Sequence, residues 1–414
     1  MSCNLCGSEL GNKLDFGQHP IANLLSNEKL QPVSKHSKAL GRCKQCELIQ
    51  LVDPLPPNLL YADYPTTSSW KPEPHINKLI NNISALLTYE DQILDVGCND
   101  GKFLSLLRDS GFVNLKGLEP TANTALTGQK DGFMVFNSFL TEETACSLLD
   151  QCGPFQLVTV RAVLEHIINL SDFGRALNTL IKDKGFLVVE VPDMNTMLAE
   201  HDYAIWEEHC NHFTTKTLSR FLSTHGFDIV RQYSSLFSGD ILTVIAQKNK
   251  GTSGSSTIFN QKISAAENDF ANYVSDFPYF KKRITSDLEE YLSHENSRRI
   301  VLYGVGGRST SFINILDIGK FISFAIDDQI EKQNKFLPGS DIPIISGSDA
   351  ASCITDNDLV LLGVNAENED GLLEKRPWIR KLRYASILPP SAYLLSGWSV
   401  FNLQNSFNDR NISL

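Results

Sequence analysis

The stretch that decides the fold runs from Ile93 to Leu104 and reads Ile-Leu-Asp-Val-Gly-Cys-Asn-Asp-Gly-Lys-Phe-Leu. It begins with apolar residues typical of a buried strand, turns at Gly97 and Gly101, and continues as an amphipathic helix. A strand, a tight loop and a helix N-terminus form a cradle for a nucleotide cofactor, because glycines let the backbone approach the ligand. Glu119 ends the next predicted strand, where a carboxylate accepts hydrogen bonds from ribose hydroxyls.

The composition of this loop separates two kinds of nucleotide cofactor. A dinucleotide loop has the pattern G-x-G-x-x-G, and its third glycine is absent here. The acidic and carboxamide side chains instead suit the sulfonium and ammonium groups of S-adenosylmethionine. An ordinary strand–helix turn without a ligand is the alternative, because short motifs often match by chance. The candidate cofactor-binding residues lie at or just after the ends of predicted strands or in the loop: Asp95, Gly97, Asn99, Gly101, Glu119, Pro120, Asn137, Arg161 and Ala162.

The order of apolar segments predicts the architecture. Strand and helix patterns alternate over residues 76–250, which indicates an α/β fold with a doubly wound parallel sheet of the class I methyltransferase type. Only the turn at 237–240 separates its last two strands, so they should form an antiparallel hairpin. A small metal-binding domain is expected over 1–75. A second glycine loop at 299–307 predicts another Rossmann-like α/β domain over 251–414.

Four of the nine cysteines form two C-x-x-C pairs. Thiolates two residues apart on a turn ligate one metal ion, and two such pairs complete a closed tetrahedral zinc site. Disulfides or free thiols are the alternative, and a reducing cytosol disfavours disulfides. We therefore expect a structural Zn²⁺ bound by Cys3, Cys6, Cys43 and Cys46.

Charge and hydropathy limit the kinds of partner that are expected for the 414-residue chain. A formal net charge of −11 argues against a nucleic-acid partner, which requires a basic face. No run of about eighteen apolar residues is present, so no membrane span is expected. The first residues lack a charged and apolar leader, which favours a cytoplasmic location. We expect a small-molecule substrate and a monomer or weak homodimer.

Two histidines follow predicted strands, at the end of an open α/β sheet where ligands bind. His166 comes after the strand predicted at 155–160, and His209 closes the long connection after the strand predicted at 185–191. A histidine next to a carboxylate, as His209 is next to Glu208, can serve as a general base near neutral pH. A hydrogen-bonded structural role is the alternative for each histidine. Methylation of a carbon α to a ketone requires such a base, because a proton must first be removed.

Longer motifs occur in a characteristic order. The N-terminal region contains C-N-L-C-G and C-K-Q-C-E-L-I-Q-L. The central region contains V-L-E-H-I at 163–167 and E-E-H at 207–209. The C-terminal region contains L-Y-G-V-G-G-R at 302–308 and K-F-L-P-G-S-D-I-P-I at 335–344. Together they resemble the zinc-binding, methyltransferase and third domains of the sugar C-methyltransferases, which act on nucleotide-linked keto-deoxysugars.

The resemblance implies a function and roles for individual residues. It implies methyl transfer from S-adenosylmethionine, through an enolate, to a sugar with a thymidine-diphosphate handle that the third domain partly holds. The base of that family corresponds to His209, with Glu208 beside it. His166 corresponds to a histidine near the reacting sugar. Tyr61 and Tyr64 are the candidates for tyrosines that reach the site.

Two departures from the family pattern leave alternatives open. Where the family commonly has a tyrosine before the catalytic glutamate, this chain has Trp206, which cannot act as a phenolic acid. Where the family has a Y-F pair, it has His212-Phe213. Transfer to oxygen or nitrogen of another sugar or small metabolite is therefore the main alternative. A non-catalytic or dehydrogenase-like role, based on the loop at 302–308 with Asp327, is the second alternative, although that loop lacks the last dinucleotide-binding glycine.

Overall fold

The computed structural model of the chain describes residues 2–29, 33–60, 73–249, 269–294 and 298–398. It divides into two compact units. The first unit comprises Met1–Gly11, Gly41–Met194 and Glu208–Ser264, and the second comprises Asn12–Leu40, Asn195–Glu207 and Ala265–Leu414. The two cysteine pairs and the glycine loop after Val96 lie in the same unit. The three domains expected from the sequence, 1–75, 76–250 and 251–414, stay a prediction.

Helices and strands are numbered in chain order over the described residues. The strands are β1 Leu10–Pro20, β2 Lys35–Cys43, β3 Ile49–Leu51, β4 Ile93–Val96, β5 Leu115–Leu118, β6 Met134–Phe136, β7 Phe155–Arg161, β8 Ile181–Pro192, β9 Asn211–His212, β10 Phe227–Leu236, β11 Asp240–Lys248, β12 Arg299–Tyr303, β13 Ile322–Ile326, β14 Ile344–Ile345, β15 Asp358–Leu362 and β16 Arg383–Ser386. The helices are α1 Pro57–Leu60, α2 Ile76–Ser84, α3 Lys102–Asp109, α4 Ala122–Lys130, α5 Glu142–Cys152, α6 Leu170–Leu180, α7 Met194–Ala199, α8 Thr215–Thr224, α9 Asp269–Ser293, α10 Gly307–Leu316, α11 Gly347–Cys353 and α12 Ala366–Lys375.

The main sheet of the first unit contains seven of the described strands, in the order β10-β11-β8-β7-β4-β5-β6. Neighbours from β8 to β6 are parallel, whereas β11 is antiparallel to both β8 and β10. The predicted hairpin of the last two strands is therefore confirmed. So is the expected α/β methyltransferase sheet, in which a single reversed strand lies next to the edge.

Side chains on the central strands alternate between the two faces of this sheet, as the pleat requires. Ile93 belongs to one core cluster with Leu79 of α2 and Leu104 of α3. Leu94 belongs to the other cluster, which contains buried residues of α5, α6 and α8. Because both faces are covered, the central strands are continuous apolar runs. Leu48, which follows the second cysteine pair, joins the cluster of Leu94.

A smaller sheet carries the cysteine pairs at its end. Its described strands have the order β1-β2-β3-β9. β3 and β9 pair antiparallel, with Ile49 opposite His212 and Gln50 opposite Asn211. Because β9 belongs to the long connection after β8, this sheet includes residues that lie directly beside His209.

The second unit contains a parallel sheet of five described strands, in the order β14-β13-β12-β15-β16. This confirms the second Rossmann-like sheet, with a glycine loop between β12 and α10. Across the described ranges of both units, no helix is long and apolar enough to cross a membrane.

Candidate functional site

The loop between β4 and α3 has the conformation that its glycines allow. Gly97 and Gly101 have φ of 73° and 87°, in the left-handed region, and Asn99 between them has φ of 51°. A Cβ atom on Gly97 would lie 2.4 Å from Cγ2 of Val163, a contact that no other residue could accommodate without movement. The backbone of this loop is thus closely packed against Val163, and glycine is needed at this position.

Glu119 holds this loop in place from the end of β5. Its Oε2 accepts the Asn99 N–H at 3.0 Å, and its Oε1 accepts the Thr121 N–H at 2.8 Å. The Asn137 side chain donates to the carbonyl oxygens of Glu119 and Pro120, at 2.8 and 2.9 Å. The structure therefore brings together Asn99, Glu119, Pro120 and Asn137. Each carboxylate oxygen keeps capacity for a further hydrogen bond, such as one from a ribose hydroxyl.

Asp95 lies within the sheet at the end of β4. Its Oδ1 accepts a hydrogen bond of 2.6 Å from the hydroxyl of Thr159 on the neighbouring strand β7. Burial raises the pKa of Asp95 to about 6. The carboxylate therefore orders the strand ends beneath the loop, and its contact with a cofactor stays a prediction.

Arg161 ends β7 and is held by two carboxylates that the sequence motifs did not single out. Its Nε donates to Glu190 on β8 at 2.6 Å, and its guanidinium also pairs with Glu73. Burial alone would raise the pKa of Glu190, but Arg161 and His75 outweigh it and lower the pKa to about 2. The next residue, Ala162, has φ of 50°. Arg161 thus fixes the carboxyl ends of β7 and β8, and its expected contact with a cofactor stays a prediction.

His166 lies in a short 3₁₀ turn, Leu164–His166, directly after β7. Its Nδ1 lies 2.9 Å from the carbonyl oxygen of Glu208. Because a carbonyl only accepts, Nδ1 must carry the proton, and in the neutral ring Nε2 carries the lone pair. Burial lowers the pKa of His166 to about 4, so this ring is neutral near pH 7. Glu208 therefore orients His166 through its main chain.

Glu165, His166 and His209 form one group. One carboxylate oxygen and one ring nitrogen from each histidine all lie within 4.8 Å of one another. The two rings are nearly perpendicular, with centroids 5.0 Å apart. Burial raises the pKa of Glu165 to about 8, and its Oε2 has no hydrogen-bond partner among the described residues. The group brings one carboxyl and two imidazoles together, and its atom types are also those of a cation site.

The sequence motifs identified His166 and His209 but not Glu165. The signal was present, because Glu165 is the glutamate of the V-L-E-H-I motif. Tyr61 and Tyr64 lie outside the described residues, so the role of Tyr64 stays a prediction.

His212 lies in β9, and its ring centroid is 6.5 Å from that of His209. It is buried in β9, opposite Ile49, and burial lowers its pKa to about 4. It therefore belongs to the small sheet.

Trp206 belongs to the second unit, where it packs on the glycine loop after β12. A Cβ atom on Gly307 would lie 2.6 Å from the Trp206 ring, so glycine is required there. The adjacent Glu207 accepts a hydrogen bond of 2.9 Å from the buried Lys38 ammonium and one of 2.6 Å from the Ala22 N–H.

The second glycine loop repeats the geometry of the first. Asp327, after β13, accepts the N–H groups of Val305 and Gln329, each at 2.9 Å. The expected hold on a substrate nucleotide by this domain stays a prediction.

The four cysteines of the two C-x-x-C pairs are brought together. Their Sγ atoms lie within 4.8 Å of one another, with Cys3 and Cys46 3.3 Å apart and Cys6 and Cys43 3.5 Å apart. None of them is in a disulfide. Each pair forms the same turn, closed by a left-handed residue after the second cysteine, which is Gly7 in one turn and Glu47 in the other.

Within these turns, the Leu5 N–H approaches Cys3 Sγ and the Cys46 N–H approaches Cys43 Sγ, both at 3.4 Å. Hydrogen bonds of this kind stabilise thiolates. The set of four thiolates fits a tetrahedral metal ion. Such an ion would hold the two cysteine turns together at the end of the small sheet.

Comparisons with known proteins agree with this architecture. The profile of a methyltransferase domain family matches residues 72–232, and that of a C-methyltransferase C-terminal domain family matches residues 237–374. The C-methyltransferase NovU of Streptomyces niveus is 24% identical over 378 residues, which cover 87% of this chain and 89% of NovU.

Solved structures are similar to a smaller part of the chain. A SAM-dependent methyltransferase from Archaeoglobus fulgidus is 16% identical and covers 42% of this chain and 93% of its own, with a TM-score of 0.35. One from Methanosarcina mazei is 19% identical and covers 41% and 98%, with a TM-score of 0.33. The two adjoining domain matches and the relative that aligns over most of the chain show that this protein is an S-adenosylmethionine-dependent methyltransferase that is similar to C-methyltransferases.

Proposed function

We propose that this enzyme methylates a carbon α to the ketone of a keto-deoxysugar linked to thymidine diphosphate. In this proposal, His209 removes the α proton, and the resulting enolate carbon takes the methyl group. The observation that carries the proposal is the group formed by Glu165, His166 and His209 after β7, in the same unit as the glycine loop. A methyl transfer to an already nucleophilic oxygen has less need of such a set of proton-accepting side chains.

The two histidines have different expected roles. His166 is a weak proton acceptor, because burial lowers its pKa to about 4. A general base is most effective when its pKa lies near the working pH. This disfavours His166 as the base and leaves His209, the other histidine of the group, in that role. His166, whose Nδ1–H is held by the Glu208 carbonyl, would then present Nε2 to a hydroxyl of the acceptor.

The cofactor would be held by the loop from Gly97 to Gly101, with Glu119 toward the ribose. When bound there, S-adenosylmethionine supplies the electrophilic methyl group. The protein contributes a backbone that needs little reorganisation, because Glu119 already fixes the loop through the Asn99 N–H. We also assign Zn²⁺ to Cys3, Cys6, Cys43 and Cys46, in a structural role because four thiolates leave no open position.

The test is solvent deuterium exchange at the α carbon of a thymidine-diphosphate keto-deoxysugar, with S-adenosylhomocysteine in place of the methyl donor. The wild-type enzyme should exchange this proton, and His209→Ala should lose the exchange by about a hundredfold or more, the usual contribution of a general base. His294→Ala is the matched control, because His294 is exposed and lies at the end of α9.

Two outcomes would contradict the proposal. If the wild-type enzyme methylates the sugar without catalysing exchange, the acceptor is oxygen or nitrogen rather than carbon. If His209→Ala exchanges at the wild-type rate, the base is another residue.

A further inference from the structure

The segment that carries His209 leads into β9, the edge strand of the cysteine-bearing sheet among the described strands. Immediately after His209, β9 pairs with β3, and the Leu51 N–H donates to the Cys210 carbonyl at 3.0 Å. On its other side, the Cys210 thiol lies 3.3 Å from the carbonyl oxygen of Glu165. The segment therefore lies between the cysteine pairs and the turn that contains His166.

One side chain spans this gap. Asn211 is 1% exposed. Its Nδ2 donates to the Ile167 carbonyl at 2.7 Å, and its Oδ1 accepts from Nδ2 of Asn4 at 2.9 Å. Asn4 lies between Cys3 and Cys6, inside the first cysteine turn. Asn211 thus connects that turn directly to the residue after His166.

The side-chain amide of Gln50 completes the hydrogen-bond network around Asn4. The Asn4 N–H donates to Oε1 of Gln50 at 2.8 Å, and Nε2 of Gln50 approaches the Ser2 carbonyl at 3.3 Å. Gln50 lies opposite Asn211 on β3 and is 2% exposed. Buried amides with satisfied partners hold one arrangement, because each broken bond leaves a desolvated polar group.

We propose that Asn211 is a positioning residue through which the metal-bound cysteine turns fix His209 next to His166. The cysteine cluster then has a role in the acceptor site beyond the stability of its own turns. The importance of this geometry for catalysis rests on the proposed function, in which His209 is the base. The geometry itself can be measured without any acceptor.

Two variants test the connection. Asn4→Ala removes the side-chain partner of Asn211 Oδ1 and leaves the cysteines unchanged. Asn211→Asp keeps the shape of the side chain but removes the donor to Ile167. Lys44→Ala is the matched control, because Lys44 has the equivalent place in the second turn and its ammonium pairs with the exposed Glu9.

Hydrogen exchange of peptides covering 208–213 is the first measurement. We expect the exchange to accelerate by about tenfold in Asn4→Ala and Asn211→Asp and to stay unchanged in Lys44→Ala, since one lost hydrogen bond corresponds to roughly that factor. Zinc content and affinity for S-adenosylhomocysteine should stay within about twofold of wild type, while kcat falls. Removal of zinc by a chelator should accelerate exchange over the same 208–213 peptides.

The inference is overturned if the two asparagine variants behave like Lys44→Ala, or if chelation accelerates exchange only over 2–9 and 43–48. If the wild-type enzyme shows no α-proton exchange but the 208–213 peptides respond as expected, the proposed function is wrong and the positioning role stands.

Discussion

Glu165→Gln gives the sharpest test of the acid–base group. The substitution keeps the shape of the side chain and removes its titration. Burial raises the pKa of Glu165 from its ordinary value of 4.5 to about 8. Between these values the native chain keeps a proton that the unfolded chain releases, so the free energy of unfolding decreases as pH rises. The stability that Glu165 contributes is fully present below the pKa that it has in the unfolded chain. This stability is lost progressively as the pH rises to the pKa of Glu165 in the native chain.

The size of this loss follows from the pKa difference. Each pKa unit corresponds to about 1.4 kcal/mol. Between pH 5 and pH 7.5, Glu165 should therefore reduce the free energy of unfolding of the wild-type chain by about 3 kcal/mol relative to Glu165→Gln. No correction for solvent screening is needed, because Glu165 is only 1% exposed.

Urea unfolding followed by circular dichroism, repeated across this pH range, measures the difference. Glu90→Gln is the control, because Glu90 is exposed in the same unit. We expect the curves of wild type and Glu165→Gln to diverge as pH rises, whereas wild type and Glu90→Gln stay parallel. Parallel curves for Glu165→Gln would contradict this prediction, because they would show that the Glu165 carboxyl ionises in the folded chain as it does in the unfolded one.

Three further predictions concern the cofactor loop and the second unit. Gly97→Ala should weaken binding of S-adenosylhomocysteine by about tenfold or more, measured by calorimetry, because its Cβ would collide with a valine methyl. Gly132→Ala is its control, since Gly132 also has positive φ but open space around it. Glu119→Gln should weaken the same binding by about tenfold. Each of the two Glu119 oxygens accepts one backbone N–H, whereas a glutamine amide has only one oxygen that can accept. Lys38→Met should lower the free energy of unfolding of the second unit by about 3 kcal/mol, since it leaves Glu207 buried without its cation.

For each of these three predictions, one result would contradict it. Equal affinities for Gly97→Ala and Gly132→Ala would mean that the loop can move away from Val163. Wild-type affinity in Glu119→Gln would remove the carboxylate from the cofactor site. If Lys38→Met with Glu207→Gln is no more stable than Lys38→Met alone, the cost does not come from an unpaired charge.

Sequence reasoning predicted the two Rossmann-like sheets and the cofactor loop because these features have local signatures. A buried strand is a short apolar run, and Gly97 and Gly101 mark backbone that other residues rarely adopt. The two C-x-x-C pairs are equally local, and the structure brings their sulfur atoms together. The identity of the bound metal stays a prediction.

The partners of the polar side chains could not be predicted in this way. Arg161 pairs with Glu73, 88 positions earlier, and Asn211 reaches Asn4, 207 positions earlier. No periodicity relates residues so far apart, because their contact depends on how the strands are ordered and paired. Trp206 is similar, since its place against Gly307 follows from the packing of the second unit.

The sequence by itself therefore determined the fold class, the cofactor loop and the cysteine pairs, since each depends on residues that are neighbours along the chain. Only the tertiary structure decided that Glu165 joins the two histidines and that Asn211 links them to the cysteine turns. Strand order and the β3–β9 pairing create those contacts, and both arise from burial over the whole unit rather than from any local pattern. The glycine loop after β4 could be predicted from twelve consecutive residues, whereas the group around His209 could be recognised only in the folded chain.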